Sequence, residues 1–507
     1  MRPLNRADVP VAPPAPAAVA GAVAAAAPRL LVLGDALLDC WLSGPAHRLG
    51  RDAPVPVVEL TATDTVPGGA ANVAANLAAM GARVELLTVL GDDTDAALLR
   101  ASLVALGVGC GRSPVESGRV TPVKRRLVVG GQTVARYDVA PDHGPRPDTG
   151  SALCAALALL LGDASDPVDA VVVSDYGLGS LTPAVRARLA ALRERIPLLV
   201  VDAHDLAPWA GVRPDVVTPS ATEAAAALGG HPPREDRREW ARQHRDALTA
   251  GGADVLLTLD VDGAVLLPAG SGRVSRRPAA VPVPESRACG AGDTFTAAAT
   301  LAYCVSADPE VALAVAQAAA DVAVSRGGTV VCGTDALTTH LAHADRGRVL
   351  AHADVAAAVR EHRRAGHRVV FTNGCFDVLH RGHVSYLRQA RALGDVLILA
   401  LNADAGVARL KGPHRPVNPL VDRAGVVGAL DGVDLVTSFE EDSPTALLEL
   451  LRPDVYAKGG DYTPQMLSET PVVERLGGQV RVLDYLSDHS TTAIVDRIRA
   501  RREEVAR

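Results

Sequence analysis

After residue 28 the chain alternates between short apolar runs rich in β-branched residues and longer stretches in which apolar residues recur at helical spacing. Strand-like runs fall at 30–33, 84–90, 170–173, 198–202 and 255–259. Helical stretches lie among them, as at 183–195 and in the alanine-rich 294–304. This alternation predicts a three-layer α/β domain over residues 28–335. Residues 336–350 lack a strong apolar period and read as a linker. A second α/β domain follows over 351–507, opening with a helix at 355–364. In it, Val369-Val370-Phe371 forms a short buried strand, and Val384, Leu387, Ala390 and Leu393 keep helical spacing until Gly394. The apolar run 395–402 then supplies the next strand. The result is a βαβ unit whose intervening loop lies at the carboxyl edge of a parallel sheet, where such folds bind ligands.

Composition narrows the class. A chain of 507 residues with 48% hydrophobic residues can bury two or three cores. A net charge of −7, with basic residues interspersed among acids, offers no basic field and argues against nucleic acid as a partner. The seven cysteines show no Cys-x-x-Cys pair, which argues against a disulfide framework or a zinc ribbon and fits a reducing cytoplasm. Residues 1–27, rich in Ala and Pro, read as a disordered extension, because the prolines interrupt any signal-like apolar core. No apolar run reaches membrane-spanning length, so the expectation is a soluble protein without a membrane partner.

The strongest chemical signal is 371–383, Phe-Thr-Asn-Gly-Cys-Phe-Asp-Val-Leu-His-Arg-Gly-His. Gly374 allows a tight turn beside a phosphate. Gly382 opens a helix whose free N–H groups favour an anion. His380 and His383, three apart at that helix start, can both face the site and stabilise charge building on phosphorus. A polar helix start or half of a zinc site would also place two histidines this way. The flanking Gly-x-Phe-Asp and the βαβ setting favour the phosphate site, and no third ligand is suitably spaced. Further on, Lys411 and Arg415 flank a Gly-Pro loop and can bind phosphate oxygens, and Lys458-Gly459-Gly460 is another basic loop. Ser490, Thr491 and Thr492 precede a helix carrying Ile494 and Ile498, and can hold an anion there.

In the first domain, the strand at 30–33 ends in Gly34-Asp35, an acid placed to accept from sugar hydroxyls. Gly68-Gly69 feeds a small-residue helix that carries Asn72, and its turn can approach a substrate closely. At 288–295 the sequence Ala-Cys-Gly-Ala-Gly-Asp-Thr-Phe lets the backbone curl around an oxyanion. Asp293, at the helix start, can take a proton from an attacking hydroxyl. Such a cradle, a base and magnesium suffice for phosphoryl transfer. An N-cap aspartate after a glycine turn is the plainer reading of 293 taken alone.

Two resemblances follow from these residues. Gly374-Cys375-Phe376-Asp377 with His380-Arg381-Gly382-His383 resembles the signature of the cytidylyltransferase-like nucleotidyltransferases, which implies a Rossmann-like domain and nucleotidyl transfer from a nucleoside triphosphate. It adds Phe376, Asp377 and Asn402 to the nucleotide contacts. Gly34-Asp35, Gly68-Gly69 and Gly290–Asp293 resemble the ribokinase-like (PfkB-type) sugar kinases over roughly 28–335. By that likeness Asp35, Gly68, Gly69 and Asn72 hold the sugar, Ala291 and Gly292 form the anion hole, and Asp293 is the base. Glu223 organises magnesium through water, and Lys124, sharing a strand face with Arg126, contacts the phosphate of a phosphorylated sugar.

The order of the domains, with stretches such as Val173-Ser174-Asp175-Tyr176, Arg415-Pro416-Val417-Asn418 and Lys458-Gly459-Gly460-Asp461-Tyr462, resembles the family of bifunctional heptose 7-phosphate kinase/heptose 1-phosphate adenylyltransferases. ATP, Mg2+ and sugar phosphates are then the implied ligands, and a homodimer through the kinase domain the implied assembly. The kinase half departs from that pattern at Arg287-Ala288-Cys289 (Asp-x-Thr in the family), Ser220 (Asn) and Ala203-His204 (Pro-Lys), all on the nucleotide or magnesium side. Two other readings stay open: an adenylyltransferase whose first domain only binds sugar phosphate, and a kinase/nucleotidyltransferase for another sugar or polyol phosphate.

Overall fold

Strand Arg29–Gly34 is apolar on both faces, so it must be covered on both, and its side chains divide accordingly. Leu30 and Val32 pack with Val73, Leu77, Phe295, Leu301 and Leu313, whereas Leu31 and Leu33 pack with Leu153, Leu157, Val185 and Leu189. Two helix layers thus sandwich one sheet, as expected for a three-layer domain. Arg29–Gly34 pairs in parallel with Arg83–Leu87 on one side and Ala170–Asp175 on the other, and the sheet continues through Leu198–Ala203, Val216–Val217 and Asp254–Thr258. The antiparallel strands Ala264–Leu267 and Ser275–Arg277 complete that edge of a nine-stranded sheet. The structure is a computed structural model that describes residues 16–51, 53–231, 236–270, 274–279, 289–326, 329–344, 349–459, 463 and 466–483.

A second, four-stranded sheet is not evident from the pattern. Ala36–Ser43 lies between Ala62–Gly69, antiparallel to it, and Val123–Val129, parallel to it, with Gln132–Val139 outermost. Gln132–Val139 is exposed along nearly its whole length, and Val123–Val129 carries Lys124, Arg125 and Arg126, so neither forms an apolar run.

Residues 16–27 correct an expectation. Their Ala/Pro-rich composition predicts disorder, yet Val19–Ala26 is a helix with Val19 and Val23 each only 2% exposed. Val19, Ala20 and Val23 meet Met80, Leu301, Val315 and Leu337. The prolines responsible for the expectation precede Val19, and small alanines let the helix lie close. Residues 1–15 fall outside the described residues.

The second unit has a six-stranded, wholly parallel sheet ordered 349–350, 435–439, 396–402, 369–374, 455–459 and 479–483. Its strands again alternate. Leu397, Leu399 and Leu401 pack with Leu387, Ala390 and Val427, while Ile398 and Ala400 pack with Val355, Val359, Leu447 and Leu451.

The chain divides into two compact units, Met1–Leu341 and Ala342–Arg507, each with its own core. Separate cores predict separate folding. A chain cut near residue 345 is expected to give two soluble pieces, the first retaining sugar-dependent ADP formation and the second pyrophosphate release. A folded circular dichroism spectrum without activity in the second piece would show that the first unit completes the second site.

Candidate active sites

In the first unit, Gly290 precedes helix Ala291–Ser306 at φ +77°, and a Cβ there would lie 2.9 Å from Asn72 Nδ2, so the turn needs glycine. The turn places Asp293 in the first helical turn, 4% exposed. Its Oδ2 accepts from Asn72 Nδ2 at 2.8 Å and its Oδ1 from the Tyr176 hydroxyl at 2.6 Å. Asn72 is in turn set by Asn76, which donates to its Oδ1 at 3.0 Å. Burial pushes the Asp293 carboxyl up to about 6, against the lowering effect of those two bonds. The group is therefore an ionised, weakly solvated carboxylate near neutrality, suited to taking a proton. The amides of Ala291 and Gly292 belong to the same first turn, where helix N–H groups lack intrahelical partners.

The sugar side differs from the expectation at one residue. Asp35 is 1% exposed, and its carboxylate accepts from the backbone of Tyr176, Leu178 and Ser180 at 3.1, 2.8 and 3.0 Å. It braces the 176–180 turn instead of facing a substrate. The carboxylate beside the Gly68-Gly69 turn is that of Asp39: a Cβ on Gly68 would come 2.7 Å from its Oδ2. Asp39 accepts from Arg126 Nη1 at 2.6 Å and from the Thr329 hydroxyl at 3.0 Å. Gly69, at φ +59°, has no room for a Cβ either, because one would meet Asp35 O at 2.6 Å. Lys124 sits opposite Asp39 in the strand pairing, with its ammonium 5.0 Å from the centre of the Tyr176 ring. Arg126 also donates to Cys289 Sγ at 3.2 Å. Lys124, Arg126, Asp39, Asn72, Tyr176 and Asp293 thus converge, and Asp35 stands behind them.

A cleft adjoining Asp293 is lined by Asp202, His204, Thr218, Glu223 and Gly292. Glu223 closes a capping box with Ser220, whose backbone N–H and hydroxyl each donate to Oε2 at 2.8 Å. His204 Nδ1 lies 2.5 Å from Oε1. Burial alone would push the Glu223 carboxyl up; the bonds from His204 and Ser220 outweigh it and hold the group below its ordinary value. The same contact with Glu223 raises His204. Burial, with Asp293 and Glu223 nearby, pushes Asp202 well up. The residues that depart from the family pattern at 204 and 220 therefore both bind Glu223. Arg287 and Ala288 lie outside the described residues.

In the second unit, strand Val369–Gly374 leads into a loop and then helix Arg381–Arg391. Phe376 takes φ +44°, and a Cβ on Gly374 would strike its ring at 2.8 Å, so the glycine makes room for the aromatic. The ring stands 5.0 Å from that of His383, which in turn lies 3.9 Å from that of His380. Both histidines and the buried Gly382 are thus at the helix start, as expected. Burial, then the nearby His380 and Lys411, depress His383 to about 4, so it is a neutral imidazole at pH 7.

Asp377 behaves differently from a nucleotide contact. Its carboxylate accepts from Arg415 Nε, from the Val417 amide at 2.6 Å and from the Asn418 amide at 3.2 Å. It anchors the 415–418 loop, and these bonds hold it below its ordinary range against burial. Arg415 Nη2 is buried and has no hydrogen-bond partner among the described residues, so that edge of the guanidinium is left for an oxyanion. Lys458 donates to Asn373 Oδ1 at 2.9 Å, and burial lowers its pKa. Asn402 is buried, with Cys375 Sγ 3.7 Å from its Oδ1. Arg423, 2% exposed, was missed by sequence reasoning. It donates to the carbonyls of Cys375, Asn402 and Asn418 at 2.6, 2.8 and 3.1 Å and pairs with Asp404. It ties the ends of neighbouring strands to the loop that carries Arg415. Ser490, Thr491 and Thr492 lie outside the described residues.

A three-layer unit with a buried acid after a glycine turn, joined to a parallel unit with paired histidines at a helix start, defines a sugar kinase fused to a nucleotidyltransferase. Residues 27–157 and 202–336 match the pfkB family of carbohydrate kinases, and residues 371–497 match the cytidylyltransferase-like family. The bifunctional protein HldE of Alcanivorax borkumensis is 37% identical over 486 residues, covering 93% of this chain and 97% of that protein. The HldE of Pseudomonas syringae pv. syringae is 39% identical over 484 residues, with the same coverage. The chain belongs to the HldE family of bifunctional proteins. For the first unit's fold, phosphofructokinase-2 from Escherichia coli in complex with substrates and products superposes with a TM-score of 0.50 at 20% identity, covering 62% of this chain and 99% of that one. Among the described residues, no helix is long and apolar enough to cross a membrane.

Proposed function

We propose that the first unit uses ATP to phosphorylate the anomeric hydroxyl of a heptose 7-phosphate, and that the second transfers an adenylyl group from ATP to heptose 1-phosphate, giving ADP-heptose and pyrophosphate. The observation that carries the reading is Asp293, a buried carboxylate fixed by Asn72 and Tyr176 between the Asp39–Lys124 side and the Glu223 cleft. The sugar hydroxyls bind Asp39 and the Gly68-Gly69 turn, the sugar's own phosphate takes the Lys124 charge, and Asp293 accepts the proton of the attacking hydroxyl. The Ala291 and Gly292 amides meet the transferred phosphoryl oxygens.

Among the described residues no three ligating side chains converge closely enough to hold a metal directly. The ionised Glu223 beside the cleft fits a hard cation brought in by the ATP phosphates and met through water. Mg2+ held there would neutralise charge on the phosphates. In the second unit the sugar 1-phosphate oxygen attacks the α-phosphorus of ATP, and His380, His383, Arg415, Lys411 and Lys458 bear the charge as pyrophosphate leaves. A separate phosphatase must remove the 7-phosphate between the two steps. A homodimer through the kinase unit belongs to the same reading.

The test is purified protein with ATP, Mg2+ and a panel of sugar phosphates, following ADP and pyrophosphate separately. Sugar-dependent ADP formation only with the heptose 7-phosphate supports the reading. None with any sugar, alongside pyrophosphate release, turns the first unit into a sugar-phosphate-binding module, for which the His204–Glu223 bond in the nucleotide cleft is the structural argument. ADP formation preferring another sugar or polyol phosphate moves the substrate class.

A further inference from the structure

Tyr176 has no part in the reading from sequence beyond standing in a matching stretch, yet it touches every side of the kinase site. Its hydroxyl donates to Asp293 Oδ1 at 2.6 Å, its ring carries the Lys124 ammonium at 5.0 Å, and its edge meets the His204 ring at 4.8 Å. Its backbone N–H donates to Asp35, which also fixes Leu178 and Ser180. We propose that Tyr176 is a positioning residue of the kinase reaction, holding the plane of the Asp293 carboxylate, and that Asp35 acts on the reaction through it by bracing the turn from which it projects. The inference rests on the assignment of Asp293 as the base.

Tyr176 acts by orienting the base. A carboxylate in the first turn of a helix can rotate about its last torsion, which for sp2 groups is broad and poorly held by rotamer preference. Asn72 holds Oδ2 from one side, and the Tyr176 hydroxyl holds Oδ1 from another. Together they fix both oxygens of a carboxylate whose charged neighbours include Asp39 and Lys124. A donor to the ionised form also favours ionisation, opposing the burial that raises this carboxyl. The other charged or titratable groups around it are Asp39 and Lys124 from the smaller sheet, Asp202 from the main sheet and Cys289 from the preceding turn. Arg126 compensates the first of these.

Tyr176→Phe keeps the ring, and with it the contacts to Lys124 and His204, and removes only the hydroxyl. In the full chain, with the sugar phosphate that supports ADP formation, kinase turnover is expected to fall about 10-fold or more, the scale set by one hydrogen bond to a charged group. KM for the sugar phosphate should change much less. The acid limb of the turnover profile should move to higher pH, because the ionised base has lost a donor. Pyrophosphate release by the second unit should be unchanged, and an unaltered thermal melt of the kinase unit reports that its fold is intact. A Tyr176→Phe enzyme with wild-type turnover and an unmoved acid limb overturns the proposal. Asp293→Asn in parallel separates the failures: if it too phosphorylates normally, the base assignment has failed, whereas its inactivity beside a fully active Tyr176→Phe removes only the role of Tyr176.

Discussion

Asp293→Asn is expected to lose sugar-dependent ADP formation by about 10²–10⁴-fold, the usual cost of removing a positioned base. The amide is nearly isosteric and can keep the Tyr176 contact through its carbonyl oxygen, losing only the bond from the Asn72 donor, so the fold should survive. It cannot take up the proton of an attacking hydroxyl. Pyrophosphate release from a sugar 1-phosphate should continue at the wild-type rate, because the histidine site lies in the other unit. The pH dependence carries the same sign. Burial pushes Asp293 up to about 6, and a general base acts only in its ionised form. Wild-type kinase activity should therefore be full above that value and fall as pH drops through it, whereas an unperturbed carboxylate would lose activity near 4. Phosphorylation by the Asp293→Asn enzyme at the wild-type rate would remove Asp293 from the mechanism.

The second large effect belongs to the histidine pair. If His380 and His383 bear charge on phosphorus as pyrophosphate departs, they act more strongly in the transition state than on bound ATP. Replacing either with Ala should lower turnover about 10²–10³-fold, or roughly 3–4 kcal/mol, by comparison with loss of one oxyanion donor. ATP affinity should change far less. His383 is neutral at pH 7 in the free protein, so it enters as an imidazole N–H donor rather than as a fixed charge. Gly382→Val tests a different quantity: Gly382 is buried in the first helical turn, and a side chain there should damage ATP binding itself. Calorimetric ATP affinity beside single-turnover pyrophosphate release distinguishes the cases, and normal turnover in both His→Ala enzymes would leave the pair as a polar helix start.

What could be read from the chain depended on where each residue's surroundings lay. Strands such as Arg29–Gly34 and Val396–Asn402 are buried on both faces, so their apolar runs announce them. The smaller sheet escaped because two of its strands, Val123–Val129 and Gln132–Val139, spend their side chains on the site and on exposed surface, although Ala36–Ser43 is mostly apolar and largely buried. Lys124 and Arg126 face Tyr176 and Asp39, which interrupts any apolar period. The same sheet places Asp39, and not Asp35, beside the Gly68-Gly69 turn. The strand-end rule points to Asp35, but its carboxylate folds back onto three amides more than a hundred residues away in sequence. Asp39 belongs to a sheet whose existence the pattern did not betray. Asp293 stood out because Gly290 and Gly292 precede it at a helix start. Asp377 was legible as part of a motif but not as an anchor of the 415–418 loop, a role that depends on tertiary contact. Arg423 resembles an ordinary helical surface arginine until three backbone carbonyls converge on it.

The short helix Val19–Ala26 bears on how the protein can be handled. Its composition invites trimming the chain to begin near residue 28. Val19 and Val23, however, cover Met80, Leu301 and Leu337, and Leu301 lies on the helix that carries Asp293. Trimming would uncover a continuous apolar face, and uncovered faces of this kind drive self-association. Protein starting at residue 28 should therefore show concentration-dependent light scattering at concentrations where protein starting at residue 16 stays monodisperse, and equal scattering from the two would show that the helix covers nothing the kinase unit needs.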